Sequence, residues 1–333
     1  MPVVIGAFGG TASFPTGPNA DDSIQVTVPT GTSLFVGGLN SEATRFIWLT
    51  EITGSGNYPT SILTMGHNTP TIDDDTILVA GTLFGAGATY FPVGPNSDDS
   101  IALPGTASRF SSFVGAVPPG QSYFAWVTHV TGAGNVRVQS AALRPHGELM
   151  LVGNFDGSAS FPTSSGQISV SAPGGTSVFV AQMARDDTGF EWVQPLHVRL
   201  GGGNSEVTVA GGDTPIIAGG VSGTMSFPTT SDSSIALTTT FGTSKYFVAA
   251  LNRDDSYIAW VQSIAGTSGN NYLTSVQAPQ TGRTLLTGYF EGSLTVPTGP
   301  GDDSTVLTSN GASDMFVASL NSDDTAVSSG CCT

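Results

Sequence analysis

Apolar and polar positions change places every one or two residues along this chain, in short runs broken by clusters of Gly, Asn, Pro and Asp. The clearest run is Ser33-Leu34-Phe35-Val36-Gly37-Gly38-Leu39-Asn40, followed by Arg45-Phe46-Ile47-Trp48-Leu49. Short β-branched and aromatic stretches between turn-forming clusters predict antiparallel strands and hairpins. No stretch of useful length carries a helical period. In one segment the runs predict strands at Ser112 to Val117, Tyr123 to Val130, Val138 to Leu143 and Glu148 to Phe155. Gly132-Ala133-Gly134-Asn135 and Arg144 to Gly147 form the turns between them.

The pattern repeats. The Phe35 run returns around Phe113, Phe179, Phe247 and Phe316. The four tryptophans, Trp48, Trp126, Trp192 and Trp260, hold one repeat position at separations of 78, 66 and 68 residues. Four strands per unit, repeated in this way, predict propeller blades. The expectation is an all-β β-propeller of about five four-stranded antiparallel blades within a single domain, 1–333. The blades fall at about 33–87, 111–156, 177–224 and 245–292, and a terminal blade is built from both chain ends, 314–333 plus 1–9. That terminal blade lacks a third strand and has Ser329 where a tryptophan is expected.

Side-chain size fits the prediction. Each anchor phenylalanine is followed by small residues, as at Gly37-Gly38, Gly115-Ala116 and Ala249-Ala250. A propeller needs them where its first strands crowd the axis. The tryptophans, further out, are expected to wedge between blades as core. Longer connections carry Phe14-Pro15, Phe91-Pro92, Phe161-Pro162, Phe227-Pro228 and Val296-Pro297. They are expected to turn through a glycine, as at Asp156-Gly157, and add an edge segment or hairpin that covers the outer rim.

These features resemble one known family. The tract from Gly6 to Phe14, repeated from Gly153 to Phe161, the Phe-Val-Ala-x-Leu-Asn strand, the aromatic-Trp strand and the Gly-x-Gly-Asn turn are similar to the bacterial β-propeller repeats called SBBP. The resemblance runs from Met1 to about Val327. It implies a propeller and a place among secreted and surface proteins. The chain departs from the family in having about five repeats instead of seven and in showing no leader.

Composition narrows the partners. Charged residues are 10% of the chain and the formal net charge is −16, with Lys245 the one lysine. Nucleic-acid backbones and anionic membranes need clustered Lys and Arg, so neither is an expected partner. The acidic balance permits cations or basic surfaces. No run of about 18 apolar residues predicts a membrane span. No signal peptide is visible at Met1-Pro2-Val3-Val4-Ile5. Cys331 and Cys332, adjacent and near the end, cannot staple the fold.

Candidate chemistry is sparse. Asp21, Asp22, Asp98, Asp99, Asp302 and Asp303 lie in the long connections. Solvated acidic turns are the favoured reading, and oxygen ligation of Ca²⁺ is the alternative. Asp186-Asp187, Asp254-Asp255 and Asp323-Asp324 read as tight turns. Strand alternation brings the acidic connections to the same end as the Gly-x-Gly-Asn turns, so Asn57, Asn135 and Asn271 define an expected ligand-binding face. His67, His129, His146 and His197 share no repeat position, and no G-x-S-x-G, H-E-x-x-H, P-loop or dinucleotide motif is present. Glu51 and Glu191 lack repeat-matched partners. The chain therefore reads as a non-enzymatic structural or assembly protein, extracellular or on a particle surface. It is expected to associate with itself or another surface protein through its incomplete terminal blade. A carbohydrate-binding or adhesive module, and a virion or phage surface component, are the alternatives.

Overall fold

A computed structural model describes the chain apart from residues 20, 55–57, 65–75, 97, 185–188, 198–201, 211–212, 222, 240–244, 254–255, 268–270, 279–283, 298–303, 321–326 and 332–333. The described residues form strands, turns and bends throughout, in antiparallel sheets. No helix among them is long and apolar enough to cross a membrane. The all-β reading is thus correct. The chain divides into two compact units, Met1–Val138 with Ser160–Pro162, and Gln139–Ala159 with Thr163–Thr333.

Unit one holds two sheets. The first is β1 (Val3–Pro15), β2 (Ser23–Leu39) and β3 (Phe46–Ile52), in that order. The second is β4 (Tyr58–Thr64), β5 (Ile77–Gly85), β8 (Thr106–Val117) and β9 (Trp126–Gly132). A hairpin of β6 (Thr89–Pro92) and β7 (Ser100–Leu103) is set between β5 and β8.

The strands that follow form three more groups of the same kind, in unit two except for Val136–Val138 of β10 and Ser160–Pro162 of β11. The third is β10 (Val136–Leu143), β11 (Leu149–Thr163), β12 (Gly166–Met183) and β13 (Phe190–Leu196). The fourth is β14 (Gly202–Ala210), β15 (Thr214–Val221), β18 (Lys245–Leu251) and β19 (Ile258–Gly266), with the hairpin β16 (Thr224–Pro228) and β17 (Ser234–Thr238). The fifth is β20 (Tyr272–Gln277), β21 (Thr284–Phe290), β24 (Asp314–Leu320) and β25 (Val327–Cys331), with the hairpin β22 (Ser293–Pro297) and β23 (Ser304–Thr308).

Each sheet after the first therefore begins on the third strand of one sequence repeat and ends on the second strand of the next, while the first begins on a fourth strand. The physical reason is the length of the links. A tight turn joins β10 to β11, and a long hairpin carries the fourth strand into the next first strand. These links make antiparallel neighbours.

The ends of the chain differ from expectation. Val3 to Phe8 pairs with Ser33 to Gly38 in the first sheet, while Met315 to Leu320 lies between β21 and β25 in the fifth. The shared terminal blade is therefore replaced by a three-stranded first sheet and a four-stranded last one. In the last sheet Ser319 is paired with Ser328, so Ser328, and not Ser329, holds the register of the missing tryptophan. Ala250 with Trp260 and Gly38 with Trp48 are the equivalent pairs.

The core lies between successive sheets. Every sheet has a phenylalanine face, carrying the anchor ring, and an opposite face on which the paired strand of the first four sheets places its tryptophan; we refer to it as the tryptophan face in the last sheet too. In unit one, Leu34, Val36, Trp48 and Ile52 of the first sheet pack with Ile77, Val79, Phe113 and Phe124 of the second. In unit two, Val178, Val180 and Trp192 of the third sheet meet Ile217, Phe247 and Ala249 of the fourth. Ile216, Tyr246, Val248 and Trp260 of the fourth meet Val276, Leu286, Phe316 and Ala318 of the fifth. The tryptophan face of one sheet thus covers the phenylalanine face of the next, which confirms core roles for Trp48, Trp192 and Trp260.

The small residues beside the anchors have a local cause. A Cβ on Gly38 would collide with the Trp48 ring. One on Gly37 would lie 2.6 Å from Phe46, and one on Gly115 would lie 2.8 Å from Phe124. They seat the aromatic rings of the paired strand.

The long connections are hairpins, as the sequence suggested; Phe91 and Phe227 join the cores between sheets, and β22 covers the edge of β19. Strand four bends into each hairpin at a glycine in the left-handed region, with φ of 73° at Gly10, 67° at Gly157, 92° at Gly223 and 71° at Gly292. That conformation is open to glycine without a Cβ penalty. The hairpin phenylalanine then lands on the anchor of its own sheet: Phe14 on Phe35 at 4.8 Å, Phe91 on Phe113 at 4.8 Å, and Phe227 on Phe247 at 4.9 Å between ring centroids. The backbone of the hairpin also bonds to the last strand of the preceding sheet. Tyr90 and Thr53 exchange two bonds of 2.8 and 3.2 Å, and Ser226 N–H donates to the His197 carbonyl at 3.0 Å. Ala265 and Gly266 pair with Thr295 and Leu294.

Candidate interaction surface

The residues singled out at the hairpin end of the sheets are largely occupied with the fold. Asn135 Oδ1 accepts a hydrogen bond from Phe110 N–H at 3.0 Å, where the hairpin returns to the first strand. Asn271 is buried, and its Oδ1 accepts from Glu291 N–H at 3.2 Å, at the glycine bend that leaves strand four. Both asparagines hold the root of a hairpin. Asn57 lies outside the described residues.

The acidic turns are built alike. Asp22 Oδ2 accepts from the Asn19 amide nitrogen Nδ2 at 3.0 Å and from its backbone N–H at 3.2 Å, and Asp99 Oδ2 accepts from Asn96 Nδ2 at 2.9 Å. The carboxylates lie against Gly17 and Gly94, where a side chain would meet them. Asp22 and Asp99 therefore close a turn by accepting from the asparagine three residues before them. Asp21 and Asp98 are exposed beside them. Asp302 and Asp303 lie outside the described residues, as do Asp186, Asp187, Asp254, Asp255, Asp323 and Asp324. Among the described residues no group of three or more His, Cys, Asp or Glu is placed to hold a metal ion.

Two polar constellations escaped the sequence reading. The first is Ser111 with His129, whose Nε2 lies 2.9 Å from Ser111 Oγ across paired strands. Burial lowers the His129 pKa to about 4. Ser111 is 1% exposed, so its hydroxyl is shut away from any substrate. The corresponding pair in the first sheet is Ser33 and Glu51, whose carboxyl is raised by burial and partly restored by that hydrogen bond. These pairs satisfy strands that pass into the core.

The second is centred on Arg144 in unit two. Its guanidinium grips Asp213 through Nε to Oδ1 at 2.8 Å and Nη2 to Oδ2 at 2.7 Å. It also donates to Gln182 Oε1 at 2.8 Å and to the Arg253 carbonyl at 2.9 Å. Gln182 Nε2 in turn donates to Glu191 Oε2 at 2.6 Å. Asp213 sits at φ 71° with its side chain 4% exposed. The pair joins turns 69 residues apart. Without a repeat to mark it, the sequence offered no signal.

What remains open to solvent is concentrated on the last sheet. On its tryptophan face Met315 is 66% exposed, Tyr272 49%, and Tyr289 and Val317 37% each. The rings of Tyr272 and Tyr289 stack at 4.8 Å with 27° between planes. In the fourth sheet the residues equivalent to Met315 and Val317 are Tyr246 and Val248, at 5% and 1%. The corresponding side chains of the first three sheets, Leu34, Val36, Ser112, Val114, Val178 and Val180, are buried as well.

No known protein family and no curated protein sequence matches the chain.

Proposed function

We propose that this chain is a non-enzymatic structural or assembly protein of an extracellular or particle surface, its five sheets being the blades of a β-propeller-type repeat. The observation that carries the reading is the exposed face of the last sheet: Met315 and Val317 stand in water where the earlier sheets bury the side chains that flank their anchor phenylalanines, with Tyr272, Tyr289 and Leu285 exposed beside them. Aromatic and Met side chains among threonines match the composition of protein interfaces. The propeller geometry is supported by the recurring four-strand meander and by the stacking of tryptophan face on phenylalanine face.

A carbohydrate-binding or adhesive role is the second reading, favoured by the exposed Tyr272–Tyr289 pair, since flat aromatic surfaces receive sugar rings. A virion or phage surface component is a variant of the first. Sedimentation velocity over a range of concentrations, run beside a glycan array, tests the choice. Concentration-dependent species without sugar binding support assembly. A monomer that binds a defined sugar overturns it in favour of adhesion.

A further inference from the structure

We infer that the exposed face of the last sheet receives the phenylalanine face of the first sheet of a second copy, so that chains join head to tail. The inference rests on the assembly reading and adds the partner surface and its polarity.

The internal packing supplies the rule. Three times within the two units, the tryptophan face of one sheet covers the phenylalanine face of the next. The contact has a polarity, because its two sides differ. One presents the residues flanking the anchor phenylalanine. The other presents the anchor itself, with the hairpin phenylalanine seated on it. The last sheet offers the first kind of side, with Leu285, Tyr289, Met315 and Val317 exposed in one patch of the paired strands β21 and β24. The open face continues the series of interfaces already present in the chain.

The first sheet offers the second kind. Its anchor, Phe35, is half-buried, whereas Phe113, Phe179, Phe247 and Phe316 are fully buried. Phe8, Phe46 and Leu49 beside it are half-buried too. Phe35 contacts Phe8, Phe14 and Phe46 in one aromatic cluster, the counterpart of the Phe91, Phe113 and Phe124 group that is covered in the second sheet. The two ends therefore carry complementary halves of one repeated contact. A heterologous contact of this kind gives rings or open filaments, according to the rotation between copies.

The hydrophobic gain from covering these side chains acts between copies as it does between sheets.

The test uses two full-length variants and their mixture. Val317→Lys places a charge on the exposed face of the last sheet, and Leu49→Lys places one on the phenylalanine face of the first. Circular dichroism and thermal melting establish that each remains folded. If Leu49→Lys does not fold, Phe46→Ser takes its place. In sedimentation velocity the unaltered chain is expected to associate, and each variant alone to lose the larger species. An equimolar mixture is expected to recover a dimer through the one intact pair of faces. An unaltered chain that associates while Val317→Lys associates equally well overturns this inference and leaves the assembly reading standing. Loss in Val317→Lys with undiminished association of the first-sheet variant would mean a contact between two last sheets, which also overturns it. An unaltered chain that stays monomeric at high concentration overturns both.

Discussion

At the scale of single residues, the structure assigns consequences that the repeat could not. His129 is held largely neutral because burial lowers its pKa to about 4, against an ordinary 6.5. Its folded value lies below its unfolded one, so the unfolded chain binds more protons between pH 6.5 and 4. Stability is therefore complete above pH 6.5 and falls as the pH drops through that window, by roughly 1–3 kcal/mol. His129→Gln is expected to flatten this part of the profile in urea unfolding followed by fluorescence, and an unchanged slope would refute the assignment. Glu51 acts in the opposite sense, since a raised carboxyl pKa favours the folded state on acidification.

The Arg144–Asp213 pair gives a second prediction of this scale. Asp213→Ala leaves a buried guanidinium without its counter-charge and is expected to cost about 3–5 kcal/mol. Chemical denaturation measures it, and a loss below about 1 kcal/mol would show that the network carries little. The anchor phenylalanines and the tryptophans were legible in the sequence because they recur. Arg144, Gln182 and Asp213 occur once each, and their partners are distant in the chain, so no pattern announced them. Gly38 and Gly115 were noticed for the right property, small size, but their cause is the ring of the paired strand. That contact becomes visible once the register is known. Gly115→Val is expected to destabilise by about 1–3 kcal/mol through overpacking against Phe124.

At the scale of elements, the hairpin does more than connect. It lays a phenylalanine on its own sheet's anchor and bonds to the last strand of the sheet before, which ties neighbours together at two points. Phe227 is fully buried on Phe247. Phe227→Ala is expected to cost about 3–5 kcal/mol. It should also speed hydrogen exchange at Ser226, whose N–H donates to His197. Slow exchange at Ser226 despite lost stability would show that the ring and the backbone bond act separately.

The strands themselves were readable from alternation, and the bend into the hairpin from its glycine. Where the hairpin goes was not readable, because the apolar side of Phe91 and Leu103 could as well have faced a rim. The roles of Asn135 and Asn271 were hidden for a related reason. An asparagine after a Gly-x-Gly turn looks like a ligand-facing loop residue until the N–H it accepts from is located.

At the scale of the whole molecule, repetition made the fold class legible and left its phase open. Sequence repeats can be cut at any strand, and the hydrogen bonds cut them between the second and third. That shift moves the incomplete sheet from a joint product of both termini to the first sheet alone, and leaves the last sheet complete in strands but exposed on one face. The functional reading changes accordingly, from an unpaired edge to an uncovered face. Edge pairing would be driven by backbone hydrogen bonds, whereas the face would be driven by burial of Tyr, Met, Leu and Val side chains.

Hydroxyl-radical footprinting of the full chain, read residue by residue at low and high protein concentration, tests this account most directly. Tyr272, Tyr289 and Met315 should be oxidised readily in dilute solution and protected several-fold as concentration rises, with Phe35 and Phe46 gaining protection in step. Tyr90, exposed on the β6–β7 hairpin of unit one, serves as the internal control and should keep its labelling. Equal oxidation of Tyr289 and Met315 at every concentration would contradict the claim that this face is where copies of the chain meet.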